Sequence, residues 1–253
     1  FTITGVNDDA VIGDPSLASV KEDLAVVGNR LSASGQLTVT DVDAGESSFR
    51  TSVIAAAGDK GQLTLATDGR YVYSVLNADV QYLGEGITKV DTFTVKSFDG
   101  TAKDISFTIT GVNDAAVIGV PVPGAVTEDL NPNGLSRLTE TGRLTVSDAD
   151  TGEDAFQTTG ITASAGALGS LSVTAGGTWT YTVDNALVQY LKAGETKTET
   201  FTVKSIDGTT QDVVITITGV DDAPAIAGDA TGTVTEDATT PTLTDTGTLS
   251  ISD

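Results

Sequence analysis

Two acidic segments of this chain have residue types that suit a cation-binding loop. The sequence "DVDAGE" at 41–46 returns as "DADTGE" at 148–153. Calcium takes about six to eight oxygen ligands from carboxylates, Asn side chains and backbone carbonyls. Neither segment is an EF-hand loop, because Gly stands at the fifth rather than the sixth position and no Glu closes the loop at the twelfth. The first candidate metal ligands are Asp41, Asp43, Asp148 and Asp150.

Three other polar motifs recur in a fixed order. A Glu-Asp pair follows "SVK" and "AVT", an Asn-Asp or Asp-Asp pair follows each "GV", and an Asp-Gly pair follows "KSF" and "KSI". Each motif also has an interpretation without metal, since Asp-Gly suits a hairpin, Asn-Asp suits a turn and Glu-Asp suits a solvated strand end. The further candidate ligands are Asn7, Asp8, Glu22, Asp23, Asp99, Asn113, Asp114, Glu128, Asp129, Asp207, Asp221 and Asp222.

The elements that position these residues belong to a unit that is repeated as a whole. The linker "GVND" begins at Gly5 and Gly111 and returns as "GVDD" at Gly219, so the copies are 106 and 108 residues apart. This length exceeds the roughly 20–50 residues of a solenoid repeat and equals about one sandwich domain. The predicted organisation is the last strand of a preceding repeat plus linker at 1–7, repeat one at 8–112, repeat two at 113–220 and the truncated start of a third repeat at 221–253.

Alternating apolar and polar residues predict β-strands throughout. Segments such as "QLTVTD", "RYVYSV" and "TFTVKSF" have period two and are rich in Val, Thr, Tyr and Phe. The segment "NADVQYL" at 77–83 predicts a helical turn that covers the core. The sequence therefore predicts an all-β fold of tandem seven-stranded antiparallel β-sandwich domains in a linear array. The strands of repeat one are predicted at 10–20, 35–41, 48–56, 61–66, 70–76, 91–98 and 104–111.

This strand order gathers the acidic motifs at the two ends of each sandwich. If the strands run alternately up and down, the second and sixth strands end at the N-terminal pole and the first strand ends at the opposite pole. Two acidic poles then meet where one repeat follows another. Uncompensated carboxylates would raise one another's pKa values there, and a cation would remove that conflict. Between repeats one and two, the expected set is Glu22, Asp23, Asn113, Asp114, Asp148, Asp150 and Asp207.

The composition excludes several classes of function. The chain has 35 acidic and 13 basic residues, and its formal net charge of -22 disfavours nucleic acid and anionic membranes as partners. It contains no His and no Cys, which excludes zinc and copper sites of the usual kind and Ser-His-Asp or Cys-His catalysis. Calcium is favoured over magnesium, which prefers to keep its waters. The sequence contains no apolar run of about 18 residues, so direct membrane insertion is not predicted.

Taken together, the motifs resemble those of a known family. The linker "GVNDAA", the "TED", the "DADTGE" and the hairpin "FTVKSIDGT" resemble the VCBS-type, cadherin-like repeats of large secreted bacterial adhesins of the RTX and biofilm type. The resemblance covers essentially the whole chain. It implies a secreted or cell-surface stalk for cell adhesion and biofilm formation, whose neighbouring repeats are stiffened by calcium. The acidic triplet that cadherins carry before the fifth-to-sixth connection is not obvious here, so the number of ions per junction stays open.

Other functions stay open as alternatives. Two carboxylates can hydrolyse a glycosidic bond, but acids that recur at domain ends favour a structural site over a catalytic cleft, so no enzyme is expected. A module that binds carbohydrate or protein, homotypic contacts between stalks at edge strands, and a non-catalytic spacer of a secreted hydrolase are the remaining alternatives.

Overall fold

The chain forms two compact units in the computed structural model, which describes residues 1–236 and 242–252. The first unit comprises Phe1–Gly119 with Thr145–Ala155 and Ser205–Thr209. The second comprises Val120–Leu144, Phe156–Lys204 and the described part of Thr210–Asp253. The first unit thus contains repeat one together with two loops of repeat two.

Repeat one has nine strand segments, which form the two sheets of a sandwich. They are β1 (Val11–Ile12), β2 (Ser19–Lys21), β3 (Arg30–Gln36), β4 (Val39–Thr40), β5 (Ile54–Ala55), β6 (Gln62–Leu65), β7 (Arg70–Leu76), β8 (Thr88–Lys96) and β9 (Ala102–Thr110). One sheet has the order β2-β9-β8-β5, the other has the order β3-β7-β6, and β1 pairs with β4. The predicted all-β fold is confirmed.

The first predicted strand, 10–20, is divided into two pieces with different partners. Pro15 has no N–H to donate to a ladder, and the chain leaves the strand between β1 and β2. β1 pairs antiparallel with β4, whereas β2 pairs parallel with β9, with Ser19 opposite Thr108 and Lys21 opposite Thr110. The other strand pairs of repeat one are antiparallel. The predicted strand 48–56 is shorter than expected, since only its end forms β5.

Repeat two has the same strand order. In the first unit, β10 (Val117–Ile118) pairs antiparallel with β13 (Val146–Ser147). The strands of the second unit are β11 (Gly124–Thr127), β12 (Arg137–Arg143), β14 (Thr162–Ala163), β15 (Ser170–Val173), β16 (Thr178–Asp184), β17 (Thr196–Lys204) and β18 (Thr210–Thr218). They form sheets of the order β11-β18-β17-β14 and β12-β16-β15, and β11 is again parallel to β18.

Strand alternation places aromatic side chains in the core of each sandwich. In repeat one, the rings of Tyr73 and Phe107 stack with their centroids 4.5 Å apart. Tyr71 and Phe93 contact Phe107 edge-on, with centroid separations of 5.5 and 6.0 Å. Trp179 takes the place of Tyr71 in repeat two and is buried. Each such side chain contributes roughly 2–3 kcal/mol by leaving water.

A short 3₁₀ turn closes one end of each core. The turn Asn77–Asp79 follows β7, and the turn Asn185–Leu187 follows β16. Val80 and Leu83, just after the first turn, are buried, which confirms the predicted helical turn over the core. Within the part of the chain that the structure describes, no helix has the length and apolar character to cross a membrane.

After repeat two, the chain begins a further pair of strands. β19 (Ala225–Gly228) pairs antiparallel with β20 (Leu249–Ser252), and Ile226 lies opposite Ile251. Both isoleucines are exposed. Residues 237–241 and 253 of the predicted third repeat lie outside the described residues.

Candidate metal centre

Acidic side chains from three separate segments lie close together in the first compact unit. Glu22 and Asp23 follow β2, Asp114 lies in the linker after β9, and the acids of the DxDxGE loop follow β13. Their proximity is seen in direct hydrogen bonds and in the effect of each charge on the pKa values of the others. We call this set the junction cluster; its members are Glu22, Asp23, Asp114, Asp148, Asp150 and Glu153.

Backbone N–H groups fix the position of Asp150 in this cluster. Its Oδ2 accepts the N–H of Asp114 at 2.8 Å, and its own N–H donates to Asp148 Oδ1 at 2.9 Å. The next residue, Thr151, donates its N–H to the carbonyl of Tyr82 at 3.1 Å. Asp150 is only 2% exposed. The loop therefore holds a buried carboxylate against the linker.

The DxD loop of repeat one has the same local geometry. The N–H of Asp8 donates to Asp43 Oδ2 at 2.9 Å, and the N–H of Asp43 donates to Asp41 Oδ1 at 2.8 Å. Two copies of the motif fold alike, so this conformation follows from the motif and its linker.

Glu22 is fully buried and is held from both sides. Its Oε1 accepts Nε2 of Gln81 at 2.9 Å, and its Oε2 accepts the N–H of Val112 at 3.1 Å. Gln81 also donates to Asp23 Oδ1 at 3.0 Å, as does Nδ2 of Asn77 at 2.6 Å. Gln81 was not among the predicted site residues. Its recurrence in "VQYL" of both repeats was the available signal.

Asp207 has a different environment, because it accepts four hydrogen bonds. The Ser205 hydroxyl and the Thr209 N–H donate to Oδ1, while the Thr209 hydroxyl and the Ala116 N–H donate to Oδ2. Burial raises the pKa of Asp207, but the hydrogen bonds from Ser205 and Thr209 outweigh it and hold that pKa well below its usual range. Asp99 accepts the equivalent hydrogen bonds in repeat one, from Ser97, Thr101 and Ala10.

Several carboxylate oxygens of the cluster lack any partner. Among the described residues, the buried carboxylate oxygens without a hydrogen bond are Asp41 Oδ2, Asp114 Oδ2, Asp148 Oδ2 and Asp150 Oδ1. Three of these four atoms belong to the junction cluster. A buried polar atom without a partner loses its hydration and gains nothing in return, at a cost of about 1–3 kcal/mol. A divalent cation bound beside the three oxygens of the junction cluster would supply the partner that they lack.

The electrostatic field at the cluster favours positive charge. Burial, followed by the charges of neighbouring cluster members, raises the pKa of Glu22 to about 7 despite the hydrogen bond from Val112. The same two causes, in the same order, raise the pKa values of Asp114 and Glu153. The shift at Glu153 places this residue in the cluster, although it was not among the predicted ligands.

The types of donor in the cluster suit calcium, although the side chains do not surround one common position. Within residues 1–236 and 242–252, no three acidic side chains stand in a geometry ready to hold a metal ion. The available donors are carboxylate, amide and backbone oxygens, which are the ligands of calcium rather than of zinc or copper.

A similar arrangement ends repeat two, within the second compact unit. Glu128 is 1% exposed, and it accepts Nε2 of Gln189 at 2.9 Å and the N–H of Val220 at 3.0 Å. Asp129 Oδ1 accepts hydrogen bonds from Asn185 and from Gln189, the latter at 3.1 Å. Asp221 and Asp222 follow in the linker and line a cavity of about 440 Å³ with Gln189.

The remaining predicted residues lie beside these sites. Nδ2 of Asn113 donates to the carbonyl of Asp114 at 2.9 Å, and the N–H of Asn113 donates to Glu85 Oε2 at 3.3 Å. Asn7 makes the equivalent contact with the carbonyl of Asp8 at 3.2 Å. The structure thus brings the predicted acids of the junction together, and their role as metal ligands stays a prediction.

A family model described as "Bacterial cadherin-like domain" matches the chain twice, at residues 7–111 and 113–219. No curated protein matches the chain.

Cadherin ectodomains are among the solved structures that match this chain. The gammaB7 protocadherin EC3-6 cis-dimer structure is 16% identical, with a TM-score of 0.48, and the match covers 87% of this chain and 50% of that one. The protocadherin gamma B2 domains 3-6 are 15% identical, with a TM-score of 0.48 and coverages of 87% and 53%. The human desmocollin-1 ectodomain is 12% identical, with a TM-score of 0.35 and coverages of 83% and 37%. The chain spans about half the length of the protocadherin structures that it matches.

Proposed function

This chain belongs to the bacterial cadherin-like domain family, and on that premise we propose that it is a non-catalytic extender of a secreted or cell-surface bacterial adhesin. In this proposal, its repeats form a stalk that calcium stiffens, and the stalk serves cell adhesion and biofilm formation. The VCBS and RTX type of the parent adhesin is part of the proposal and rests on the motifs of the linker, the DxD loop and the hairpin.

The observation that supports calcium binding is the set of unpartnered oxygens on Asp114, Asp148 and Asp150. They lie on the linker and on the loop that contacts it, beside the buried carboxylate of Glu22. Calcium would neutralise these charges and remove their mutual repulsion. The ion would thereby favour the conformation in which the linker and the loop lie together. The residues proposed to hold it are the six members of the junction cluster.

Asp207 and Asp99 have another role in this proposal. Four donors already occupy the two carboxylate oxygens of Asp207, which is about the full acceptor capacity of a carboxylate. We infer that these two residues anchor the linker through Ala116 and Ala10. Their direct ligation of calcium stays a prediction, because a ligand oxygen would have to give up one of these hydrogen bonds.

Thermal unfolding with calcium and with chelator tests the proposed function. A site with a dissociation constant of about 0.1 mM gives roughly 1.4 kcal/mol of stabilisation at 1 mM calcium. That corresponds to a rise of a few degrees in Tm. Asp150→Asn should abolish most of the rise, because it removes one negative charge and one anionic ligand.

Asp154→Asn is the matched control, because Asp154 is an exposed acid just beyond the same loop. It should leave the calcium response unchanged. A wild-type Tm that is identical in calcium and chelator would contradict the proposed function. A full response in Asp150→Asn would remove Asp150 from the site.

A further inference from the structure

The two repeats differ at two neighbouring positions beside their candidate sites. The segment "YLGEG" of repeat one becomes "YLKAG" in repeat two, so Lys192 stands where repeat one has Gly84, and Ala193 stands where it has Glu85. The first difference introduces a full positive charge, and the second removes a negative one. No residue is inserted or deleted here, because the two segments have the same length.

The backbone confirms that Gly84 and Lys192 are equivalent. The carbonyl of Gly84 accepts the N–H of Ile87 at 2.9 Å, and the carbonyl of Lys192 accepts the N–H of Glu195 at 2.8 Å. Both carbonyls also lie against the glycine that ends the last strand. A Cβ added to Gly111 would lie 2.6 Å from the Gly84 oxygen, and one added to Gly219 would lie 2.6 Å from the Lys192 oxygen.

Gly84 lies directly against the junction cluster. A Cβ built on Gly84 would be 3.1 Å from Glu153 Oε1 and 3.7 Å from Cγ of Asp150. A side chain at this position therefore starts beside the carboxylates that are proposed to hold calcium. Because glycine has no side chain, the space beside the two carboxylates stays free.

Lys192 occupies the corresponding place at the end of repeat two. It lines the same cavity as Asp221, Asp222 and Gln189. Gln189 in turn donates to the buried carboxylate of Glu128 and to Asp129. The side chain of Lys192 thus starts at the edge of the second set of carboxylates.

We propose that Lys192 acts as a fixed monovalent cation at the end of repeat two, so that this site binds divalent cations more weakly than it would with glycine at the same position. The inference rests on the proposed function. The physical reason is that a fixed positive charge repels an incoming divalent cation and lowers the net negative charge of the ligands, which sets affinity in oxygen-ligand sites. Lys192 would then raise the calcium concentration that is needed to fill this site.

Exchanging the two residues tests this inference in the whole chain. Gly84→Lys should weaken calcium binding at the junction cluster about tenfold or more, measured by calcium titration of Tm. Gly84→Met is the uncharged control with a side chain of similar length, and its calcium affinity should stay within about threefold of the wild-type value. Equal losses in both variants would show that bulk matters rather than charge, and would overturn the inference.

Lys192→Met is the converse variant, at an exposed position where misfolding is not expected. In an Asp150→Asn background, it should strengthen terbium binding at the end of repeat two about tenfold. The readout is the luminescence sensitised by Tyr190, which lines the same cavity. Unchanged terbium affinity would overturn the inference even if Gly84→Lys failed to fold. A wild-type chain without any calcium response would instead contradict the proposed function.

Discussion

At the scale of single residues, the chain buries carboxylates in two different ways. Asp91 is fully buried, and it accepts hydrogen bonds from the N–H groups of Lys60 and Gly61 and from the Tyr73 hydroxyl, at 2.6 to 3.2 Å. Burial raises the pKa of Asp91, but these hydrogen bonds and the one from Lys89 outweigh it and leave that pKa lowered. Asp150 is buried too, but one of its oxygens has no partner. Burial alone therefore does not single out a candidate ligand, and the unsatisfied buried oxygen of Asp150 is the additional observation on which the proposal rests.

Asp91→Ala should destabilise the protein by about 3 kcal/mol, because it leaves two N–H groups and a hydroxyl buried without their acceptor. Tyr73→Phe removes one hydrogen bond to the same carboxylate and should cost only about 1 kcal/mol. Urea unfolding at neutral pH measures both. An equal cost for the two variants would contradict the view that Asp91 is the centre of this contact.

Without calcium, the protein should lose stability as the pH rises from about 4.5 to about 7. Glu22 has an ordinary pKa of 4.5 in the unfolded chain and a pKa of about 7 in the fold, so the folded state holds the extra proton in this window. Losing that proton removes at most about 3 kcal/mol. The measurement is Tm in chelator at pH 5 and pH 7.5.

Glu22→Gln isolates this effect from the other acids, because it keeps the size and shape of the side chain but cannot ionise. Its amide keeps only one of the two acceptor oxygens to which Gln81 and Val112 donate. It should flatten the pH dependence in chelator, and calcium should flatten it in the wild type. If Tm in chelator depends on pH equally in the wild type and in Glu22→Gln, the effect belongs to other groups.

At the scale of elements, glycines on one strand or loop make room for aromatic rings on a neighbouring strand. A Cβ on Gly169 would lie 2.2 Å from a ring carbon of Tyr181, and one on Gly142 would lie 2.2 Å from the ring of Trp179. Repeat one has the same contact between Gly61 and Tyr73, at 2.3 Å. These glycines are required because the buried rings pass directly over the backbone.

Gly169→Ala should therefore destabilise repeat two by roughly 1–3 kcal/mol through overpacking. Gly176→Ala is the control, because a Cβ there would meet no atom within 4 Å. Chemical denaturation compares the two variants. Similar stability of both would show that the Tyr181 ring can move aside.

The sequence predicted the long strands because their alternation repeats over seven to nine residues, as in β7 and β8. It did not predict the division of the first strand, since Ile12 and Val20 are eight residues apart and keep period two across the break. Pro15 marks the break, but which sheet each half joins is a tertiary property. The acids of the junction cluster recur, and all of them except Glu153 were predicted as ligands for that reason. Gln81 was missed because its hydrogen bond joins residues 59 positions apart.

At the scale of the whole molecule, the dominant property is a net charge of -22. Charges of one sign repel along the chain, and salt screens that repulsion. Calcium at the junctions should do more than screening, because it neutralises specific carboxylates. The two effects can be separated by matching ionic strength.

Small-angle X-ray scattering should show a larger maximum dimension in 1 mM calcium than in chelator, because a bound ion restricts bending at the linker. Sodium chloride at equal ionic strength should not reproduce the change. Asp150→Asn should scatter alike in calcium and chelator, while Asp154→Asn should behave as wild type. A maximum dimension that calcium leaves unchanged would argue against stiffening even if calcium raises Tm.

The parallel pairing of β2 with β9 sets how a pull on the two ends of repeat one would load the hydrogen bonds between them. β2, near the start of the repeat, and β9, at its end, lie side by side and run in the same direction, so such a pull would slide one strand along the other. The hydrogen bonds between them would then resist together instead of opening one after another. The last of these bonds is donated by the N–H of Glu22 to the carbonyl of Thr110 at 2.9 Å. Glu22, which ends this ladder of hydrogen bonds, is therefore also the residue whose carboxylate lies in the junction cluster.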